Sequence, residues 1–454
     1  MSKRKYEIDM TQGSLIKNII RFAVPLMLAN MLQLFYNAAD MIVVGMFRGD
    51  NAVASIGTTG SLTALLINMF IGLSLGTSVI VSRKFGAQDH EGVHRAVHTT
   101  AILSVVTGLM SAAAGEIFSR PFLVMMGTPE GEVLEGAVLY MKILFIGTPG
   151  TIVYNFGSAI LRAVGDTKRP LYILTISGIA NVLLNLVLVI FFGMGVEGVA
   201  IATAVSKYIA AFMVVWALIK ADGSYRLVLK EMRFYKDELK QILRIGIPAG
   251  CQSSMFNLSN TVVQSGINSF GAMAMAGSAA ASNIENFIYN AMVAFYQAVL
   301  TSVGQNYGAK NHKRINQSIV ISVVCVTVVG VVMGLLIFIF SKPLLSLYIS
   351  EGNEAMAFGM TRLKIIGLTY VICGIMDVLV GAIRGFGYST ITVIYSLLGT
   401  VVFRIFWILV VLPLHKTPEI LFSAWPISWV MLTLCNFVTL IIIKKIASKK
   451  ISEM

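Results

Sequence analysis

Charged side chains are scarce in this sequence. Asp, Glu, Lys and Arg make up 13% of the 454 residues, about half of the roughly 25% found in soluble domains. Apolar residues make up 56%, and the mean hydropathy is +0.80. A water-soluble fold cannot bury that much apolar surface, so we predict an all-α integral membrane protein with the bilayer as its solvent.

Recognisable catalytic motifs are also few. The sequence has no G-x-x-x-x-G-K-[ST] phosphate loop, which makes nucleotide hydrolysis an unsuitable energy source for this chain. The cysteines lie apart in apolar stretches and form neither a metal-binding spacing nor a disulfide framework: Cys251, Cys325, Cys373 and Cys435. The histidines are expected to be solvated, in or beside loops: His90, His94, His98, His312 and His415. We therefore expect no enzymatic activity and no cofactor.

Twelve mostly apolar stretches are long enough to cross a bilayer as helices. Their predicted ranges are 15–46, 51–82, 95–118, 136–160, 169–192, 196–219, 241–268, 273–305, 316–340, 358–383, 388–413 and 420–443. Of the 35 lysines and arginines, 26 fall on one side of this arrangement, and acids such as Glu130, Glu132 and Glu135 fall on the other. Because loops inside the cell are enriched in Lys and Arg, we predict cytoplasmic termini in a bacterial inner membrane. The first residues show no cleavable signal pattern.

The two halves of the chain repeat each other at a nearly constant offset. Pro25 in Arg-Phe-Ala-Val-Pro corresponds to Pro248 in Arg-Ile-Gly-Ile-Pro, at an offset of 223. The turns Phe85-Gly-Ala and Tyr307-Gly-Ala, and the corners Leu161-Arg-Ala-Val-Gly and Ile383-Arg-Gly-Phe-Gly, correspond at 222. The predicted organisation is therefore two pseudo-symmetric six-helix bundles, residues 1–219 and 241–454, with a cytoplasmic linker at 220–240. Such paired lobes are expected to rock around a cleft.

Asp40 is the strongest functional candidate. It lies 19 residues after Arg21, or roughly 28 Å along a helix, and thus within the membrane. Intramembrane carboxylates are costly and usually serve function. With Asn30, Gln33 and Asn37 it forms one polar stripe on an apolar helix. The amides of this stripe are equally consistent with interhelical hydrogen bonding.

Other polar residues of the first half are candidates to join Asp40. They are Tyr140 and Asn155 on the fourth helix, Asn181 and Asn185 on the fifth, and Thr203 on the sixth. A carboxylate with amide and hydroxyl oxygens suits either a proton or a small hard cation. Met31 and Tyr36 flank the stripe, and flexible thioethers suit promiscuous surfaces.

The second half lacks an acid equivalent to Asp40, which aligns near Val263. Its polar candidates for binding a cationic substrate are Asn260, Gln264, Glu285 and Asp377. An ion pair with Arg384 is the alternative for Asp377, and interhelical bonding is the alternative for Glu285. Lys207 and Arg404 are also predicted within the membrane, where they snorkel or pair.

These motifs together resemble the multidrug and toxin extrusion (MATE) transporters, most closely their bacterial branch of DNA-damage-inducible and staphylococcal drug exporters. The resemblance rests on Pro25 with Tyr36-Asn-Ala-Ala-Asp40 and on the paired turns and corners described above. It implies a V of two six-helix bundles that exports lipophilic, mostly cationic compounds in exchange for inward H⁺ or Na⁺.

The resemblance also implies roles for individual residues. Pro25 matches a helix-bending proline, and Asp40 matches an ion-coupling carboxylate with Gln33, Tyr140, Asn155, Asn181 and Thr203 around it. This sequence departs from the pattern at Asn185, where the family has a second Asp, and at Ser158, where it has Asn. A sodium site would lose charge at Asn185, which favours H⁺ without excluding Na⁺. Tyr36, Asn37 and Met31 are expected near the substrate.

Two other functions compete with this interpretation. A flippase for lipid-linked oligosaccharides, from the same superfamily, would need a more basic cavity. A receptor or scaffold without turnover would need no titratable group in the membrane. The intramembrane acids count against both. With both halves in one chain, we expect a monomer that has no nucleic-acid partner.

Overall fold

The computed structural model describes residues 6–125, 127–128, 130–349 and 353–452. Within these, only the backbone is described at 41–66, 132, 258 and 449–452, except for Val43, Met46 and Thr59. The helices are α1 Leu15–Gly86, α2 His90–Met125, α3 Glu132–Ile146, α4 Thr148–Ala163, α5 Lys168–Leu186, α6 Val196–Ile219, α7 Lys236–Asn268, α8 Ala272–Gly308, α9 His312–Ile339, α10 Ser341–Ser346, α11 Asn353–Arg362, α12 Leu368–Gly385, α13 Ser389–Ser396, α14 Phe403–Phe406, α15 Leu412–Leu414 and α16 Pro418–Ser452. π-Helical turns at Val187–Phe191, Leu363–Gly367, Leu397–Val402 and Trp407–Val411 and a 3₁₀ turn at Leu229–Glu231 complete the described elements.

The prediction of an all-α membrane protein is confirmed. Nine helices in the described ranges are long and apolar enough to cross a membrane. The number is ten if α3 and α4, bent by 42°, form one crossing. Each of the twelve predicted helices overlaps a helix of the structure, and α6 matches its prediction at both ends.

The predicted break at 47–50 is wrong, because α1 continues through it as one helix of 72 residues. At about 1.5 Å per residue, such a helix is much longer than the roughly 20 residues that cross a core of about 30 Å. The segment Phe-Arg-Gly-Asp contains no proline, so nothing in it forces the backbone out of helical geometry. A single glycine costs a helix only about 1 kcal/mol.

The chain divides into two compact units. The first contains residues 1–9 and 28–253, and the second contains residues 10–27 and 254–454. In the first unit α6 packs against α3, α4 and α5, and α2 packs against α4. In the second, α16 packs against α12 and α13, and α9 packs against α12. The lobe limits predicted at 219 and 241 stay a prediction.

The internal repeat extends to backbone dihedral angles. Gln88 and Lys310, 222 residues apart, both have φ of 56°, the left-handed conformation that side chains rarely adopt. The following helices are capped alike. Asp89 Oδ1 accepts the Gly92 N–H at 2.8 Å, and Asn311 Oδ1 accepts the Arg314 N–H at 3.1 Å. Equivalent turns thus fold in the same way in both units.

Asp166 follows α4 at a corner where the first unit holds its N-terminal segment. The preceding Gly165 has φ of 90°, and a Cβ there would lie 2.2 Å from the Ile8 carbonyl oxygen. Asp166 is fully buried, caps α5 by accepting the Arg169 N–H, and lies 3.2 Å from the Arg169 Nε. Burial nevertheless raises the pKa of Asp166 from 3.8 to about 6, because loss of solvent outweighs the contacts with Arg169.

Asp166→Asn is expected to stabilise the protein at pH 8 and to have about half of that effect at pH 5. A carboxyl group whose pKa is raised by folding contributes stability below its unfolded pKa of 3.8 and loses that contribution as the pH rises from there through about 6. A rise of this size corresponds to roughly 3 kcal/mol at most. Thermal unfolding in detergent at both pH values measures the effect, with the exposed Asp222→Asn as control. A variant less stable than the wild type at pH 8 would show that the Arg169 ion pair dominates.

Candidate functional site

The predicted ion-coupling residues of α1, α5 and α6 meet in the first unit. Asn185 Nδ2 donates a hydrogen bond to Asp40 Oδ1 at 2.5 Å. Thr203 Oγ1 donates to the other carboxylate oxygen at 3.4 Å, and Asn181 Nδ2 donates to Thr203 Oγ1 at 3.3 Å. We call Asp40, Asn181, Asn185 and Thr203 the Asp40 cluster. Each hydrogen bond of the cluster reaches the Asp40 carboxylate either directly or through Thr203. A change in the charge of Asp40 therefore alters all of these bonds.

The amide oxygens of the Asp40 cluster are available for a further partner. Asn181 and Asn185 are 4% and 1% exposed, and the Oδ1 atom of each is buried without a hydrogen-bond partner in the described structure. Buried polar atoms normally find a partner. Carboxylate and amide oxygens are the ligands that a hard cation such as Na⁺ prefers. The residues present therefore fit a small cation as well as a proton.

Local backbone geometry places these amides. Asn181 and Asn185 are one turn apart on α5, which brings both to one face. The helix then changes to a π-helical turn at Val187–Phe191, directly after the second amide. Such turns inside helices are frequent at functional sites.

Of the three other predicted members, the described contacts place only Tyr140 beside Asp40. Tyr140 is buried with Val43 and Val189 and interacts electrostatically with Asp40. Asn155 donates to the Thr151 carbonyl of its own helix at 2.8 Å, and Gln33 is exposed. The described contacts therefore join Tyr140 to the cluster more directly than Asn155 or Gln33.

Lys207 is a neighbour of the cluster to which sequence reasoning gave no role in ion coupling. It lies one turn after Thr203 on α6 and interacts electrostatically with Asp40. The spacing of four residues between Thr203 and Lys207 was a usable signal.

Of the residues expected near the substrate, Tyr36 has the best-defined contacts. Its hydroxyl donates to the Thr175 carbonyl at 3.3 Å, and its ring packs over Gly178 on α5. Asn37 is exposed and Met31 is half-buried on the same helix.

Gly178→Ala is expected to displace the Tyr36 ring, because the new Cβ would lie 1.9 Å from a ring carbon. If Tyr36 contacts substrate, as the resemblance to MATE transporters implies, the KM for the predicted export rises severalfold while the protein stays folded. The concentration dependence of export of a lipophilic cation such as ethidium tests this, with Gly367→Ala as the matched control because its Cβ would meet only a methyl at 3.8 Å. An unchanged KM would separate Tyr36 from substrate binding.

The two candidate acids of the second unit, Glu285 on α8 and Asp377 on α12, have different partners. Glu285 is buried and forms a two-pronged ion pair with Arg362, at 3.0 Å and 2.8 Å. Arg362 also donates to Ser278 Oγ at 2.6 Å and lies over the Phe422 and Trp425 rings. Sequence reasoning missed Arg362, since no pattern links residues 77 positions apart. Glu285 thus has a partner on another helix, as in the alternative to substrate binding, which was interhelical bonding.

Asp377 keeps a different environment. It is half-buried on α12 and interacts electrostatically with Tyr289 and Arg384. Arg384 donates to the Tyr296 hydroxyl at 2.7 Å. On α7, Asn260 and Gln264 are exposed, and Gln264 donates to Asn268 Oδ1 at 2.9 Å. Roles for these residues in substrate binding stay predictions.

Each of the helices α1 and α7 contains a proline in its first half. Pro25 lies inside α1 and Pro248 inside α7. A proline removes one helical hydrogen bond and clashes with the preceding turn, so the helix bends most easily there. The division falls after Met27 in α1 and after Ser253 in α7. A hinge at Pro25 stays a prediction.

The sequence was compared with families of known proteins. One family model, MatE, matches it twice, at residues 25–187 and 248–409. The chain belongs to the MatE family. The two matches begin at Pro25 and Pro248, so the internal repeat and the resemblance to MATE transporters are both confirmed.

Relatives of this MatE chain carry the following names. It is 31% identical over 420 residues to "Probable multidrug resistance protein YpnP" of Bacillus subtilis, covering 92% of this chain and 90% of that one. It is 22% identical to "Multidrug export protein MepA" of Staphylococcus saprophyticus, covering 95% and 94%. Similarity thus extends over nearly the full length of both proteins.

Solved MATE structures share the fold. A crystal structure of MATE in the straight conformation aligns with a TM-score of 0.88, at 21% identity over 100% of both chains. An outward-facing multidrug resistance MATE family transporter aligns at 0.86, with 22% identity over 100% and 99%. The MatE chain is therefore a multi-pass membrane protein with this helical architecture.

Proposed function

We propose that this MatE protein is a secondary active multidrug and toxin antiporter of a bacterial membrane. It exports lipophilic, mostly cationic compounds in exchange for inward H⁺ or Na⁺. The names of its relatives support multidrug export. The observation that carries ion coupling is the Asp40 cluster, a single carboxylate bonded by Asn185 and Thr203 within an apolar bundle.

Export follows from the charge of Asp40. When Asp40 is ionised, the site attracts a cationic substrate, with Tyr36 beside it on α1. When Asp40 takes a proton or Na⁺ from outside, that attraction falls and the bonds from Asn185 and Thr203 lose their charge assistance. The cluster then repacks, α1 bends at Pro25, and the substrate leaves outward. The ion returns to the cytoplasm as the cycle closes.

The choice of ion depends on two opposing features. A proton needs only the Asp40 carboxylate, whereas Na⁺ needs several oxygens, which the unpaired Oδ1 atoms of Asn181 and Asn185 can supply. Lys207 acts against a bound Na⁺, because it already interacts with Asp40. Both H⁺ and Na⁺ therefore suit the site, and the transport experiment identifies the coupling ion.

The deciding experiment is reconstitution of the protein in liposomes. Export of ethidium is followed while a pH gradient and a Na⁺ gradient are imposed separately. Transport driven by either gradient supports the antiporter and identifies its ion. Absence of transport under both would contradict it and favour a lipid-linked oligosaccharide flippase as the next activity to assay.

Orientation and assembly belong to the same proposal. The Lys and Arg pattern supports cytoplasmic termini. The presence of both repeat halves in one chain supports a monomer. Cysteine accessibility from each side of the membrane and the mass of the purified protein test the two points.

A further inference from the structure

Two histidines of α2 and one acid of the segment after α6 converge in the first unit. His94 and His98 are one helical turn apart, and their ring centroids are 4.0 Å apart. Glu231 lies in the 3₁₀ turn Leu229–Glu231, and its Oε2 is 2.8 Å from His94 Nε2. One ligand atom from each residue lies within 4.8 Å of the other two. The prediction of solvated loop histidines is wrong for His98, which lies inside α2 and is fully buried.

Backbone groups contact both ring nitrogens of His98. Its Nδ1 is 2.7 Å from the His94 carbonyl oxygen, which can only accept, so Nδ1 carries a proton. Its Nε2 lies 3.1 Å from both the N–H and the carbonyl oxygen of Val228, so it accepts from the N–H in the neutral ring and donates to the carbonyl oxygen in the charged ring. The neutral ring, with its proton on Nδ1, is the form that binds a metal. Metal-binding histidines are usually oriented in this way, with one ring nitrogen bonded to a carbonyl and the other free of its proton.

We propose that His94, His98 and Glu231 bind one divalent transition-metal ion of the Zn²⁺ type. Two imidazoles and a carboxylate are a donor set that Zn²⁺ accepts, with water in the fourth position. Donors about 2.0–2.2 Å from the metal lie roughly 3.3–3.5 Å from one another in a tetrahedral site. The three groups therefore need small shifts, and His98 exchanges its bond from Val228 for the metal.

The site would fasten the segment between α6 and α7 to α2. That segment is already held by the Tyr235 N–H, which donates to Thr99 Oγ1 at 3.1 Å. At the start of α7, Glu238 contacts Lys84 at 3.2 Å and Arg95 at 3.0 Å. A bound metal adds a link to this set, so it is expected to raise thermal stability.

The sequence contains a competing ligand set. Residues 90–94 are His-Glu-Gly-Val-His, which matches the spacing of the H-E-x-x-H zinc motif. In the structure His90 is exposed, and Glu91 pairs with Arg95 at 3.0 Å. The contacts instead make His98, four residues after His94, the second histidine ligand of the proposed metal site. His90 therefore serves as a matched control on the same helix.

The test is metal binding by the full-length protein, purified in detergent with a histidine-free tag and stripped with EDTA. Equilibrium dialysis against Zn²⁺ should give one bound ion per chain, and Co²⁺ should give visible absorption bands of a tetrahedral site. His94→Gln and Glu231→Gln should each weaken Zn²⁺ binding at least tenfold and abolish the Zn²⁺-induced rise in melting temperature. His90→Gln should leave both unchanged.

Several outcomes would overturn the assignment. The first is that the wild type does not bind Zn²⁺ stoichiometrically. The second is that binding survives in both His94→Gln and Glu231→Gln, and the third is that His90→Gln abolishes it. Both test variants change half-buried or exposed side chains, so misfolding does not obscure the result. Zn²⁺ binding is measured without transport, so its outcome is independent of whether the protein is an antiporter.

Discussion

In proteoliposomes, Asp40→Asn is expected to abolish gradient-driven export of ethidium, leaving only the leak of empty vesicles. Asn has nearly the volume of Asp, so packing around α1 is preserved, but it neither takes a proton nor supplies negative charge. The Asp40 cluster then exists in one charge state, and neither H⁺ nor Na⁺ can bias it. Initial rates under each gradient measure the effect.

The control for this prediction is Glu135→Gln. Glu135 is an exposed acid on α3, paired with Arg120 at 2.8 Å, and exposed pairs contribute about 0–1 kcal/mol. Export by this variant should equal that of the wild type. Undiminished export by a well-folded Asp40→Asn would show that the coupling ion binds elsewhere, with Asp377 as the next carboxylate to test.

The fold was largely predictable from the sequence, because the bilayer imposes helices of a readable length and apolar composition. The internal repeat was also predictable from the sequence, because turns such as Phe85-Gly-Ala need particular residues at fixed positions. The continuity of α1 through 47–50 was not readable. A short polar stretch can end one helix or continue it, and no proline decides the matter.

The candidate site was predictable where one helix carries the signal. Asp40 stands out as a charge in an apolar stretch, and Asn181 and Asn185 share a face of α5. Partners from distant segments were not predictable, because contacts such as Glu285 with Arg362, or His94 with Glu231, depend on tertiary structure. Sequence reasoning thus selected Asp40 as the candidate coupling carboxylate of the first unit, and it missed Arg362, the partner of Glu285 in the second.

The partner of Glu285 leads to the second large expected effect, which is on stability. Glu285→Gln should lower the free energy of unfolding by roughly 3–5 kcal/mol, because it leaves Arg362 charged and buried without its counter-ion. Both side chains are nearly inaccessible, at 3% and 9% exposed, so solvent cannot replace the lost partner. Thermal unfolding in detergent at pH 7.5 measures the change.

A double-mutant cycle separates this structural role from substrate binding by Glu285. Arg362→Met alone should destabilise as strongly, since it leaves Glu285 without its partner, whereas Glu285→Gln with Arg362→Met should recover much of the loss. Because the ion pair uses both carboxylate oxygens and Arg362 also bonds Ser278 and stacks near Trp425, little of Glu285 is free for a cation. If Glu285→Gln instead kept full stability and raised the KM for ethidium, the carboxylate would act on substrate, and the Arg362 pair would be secondary.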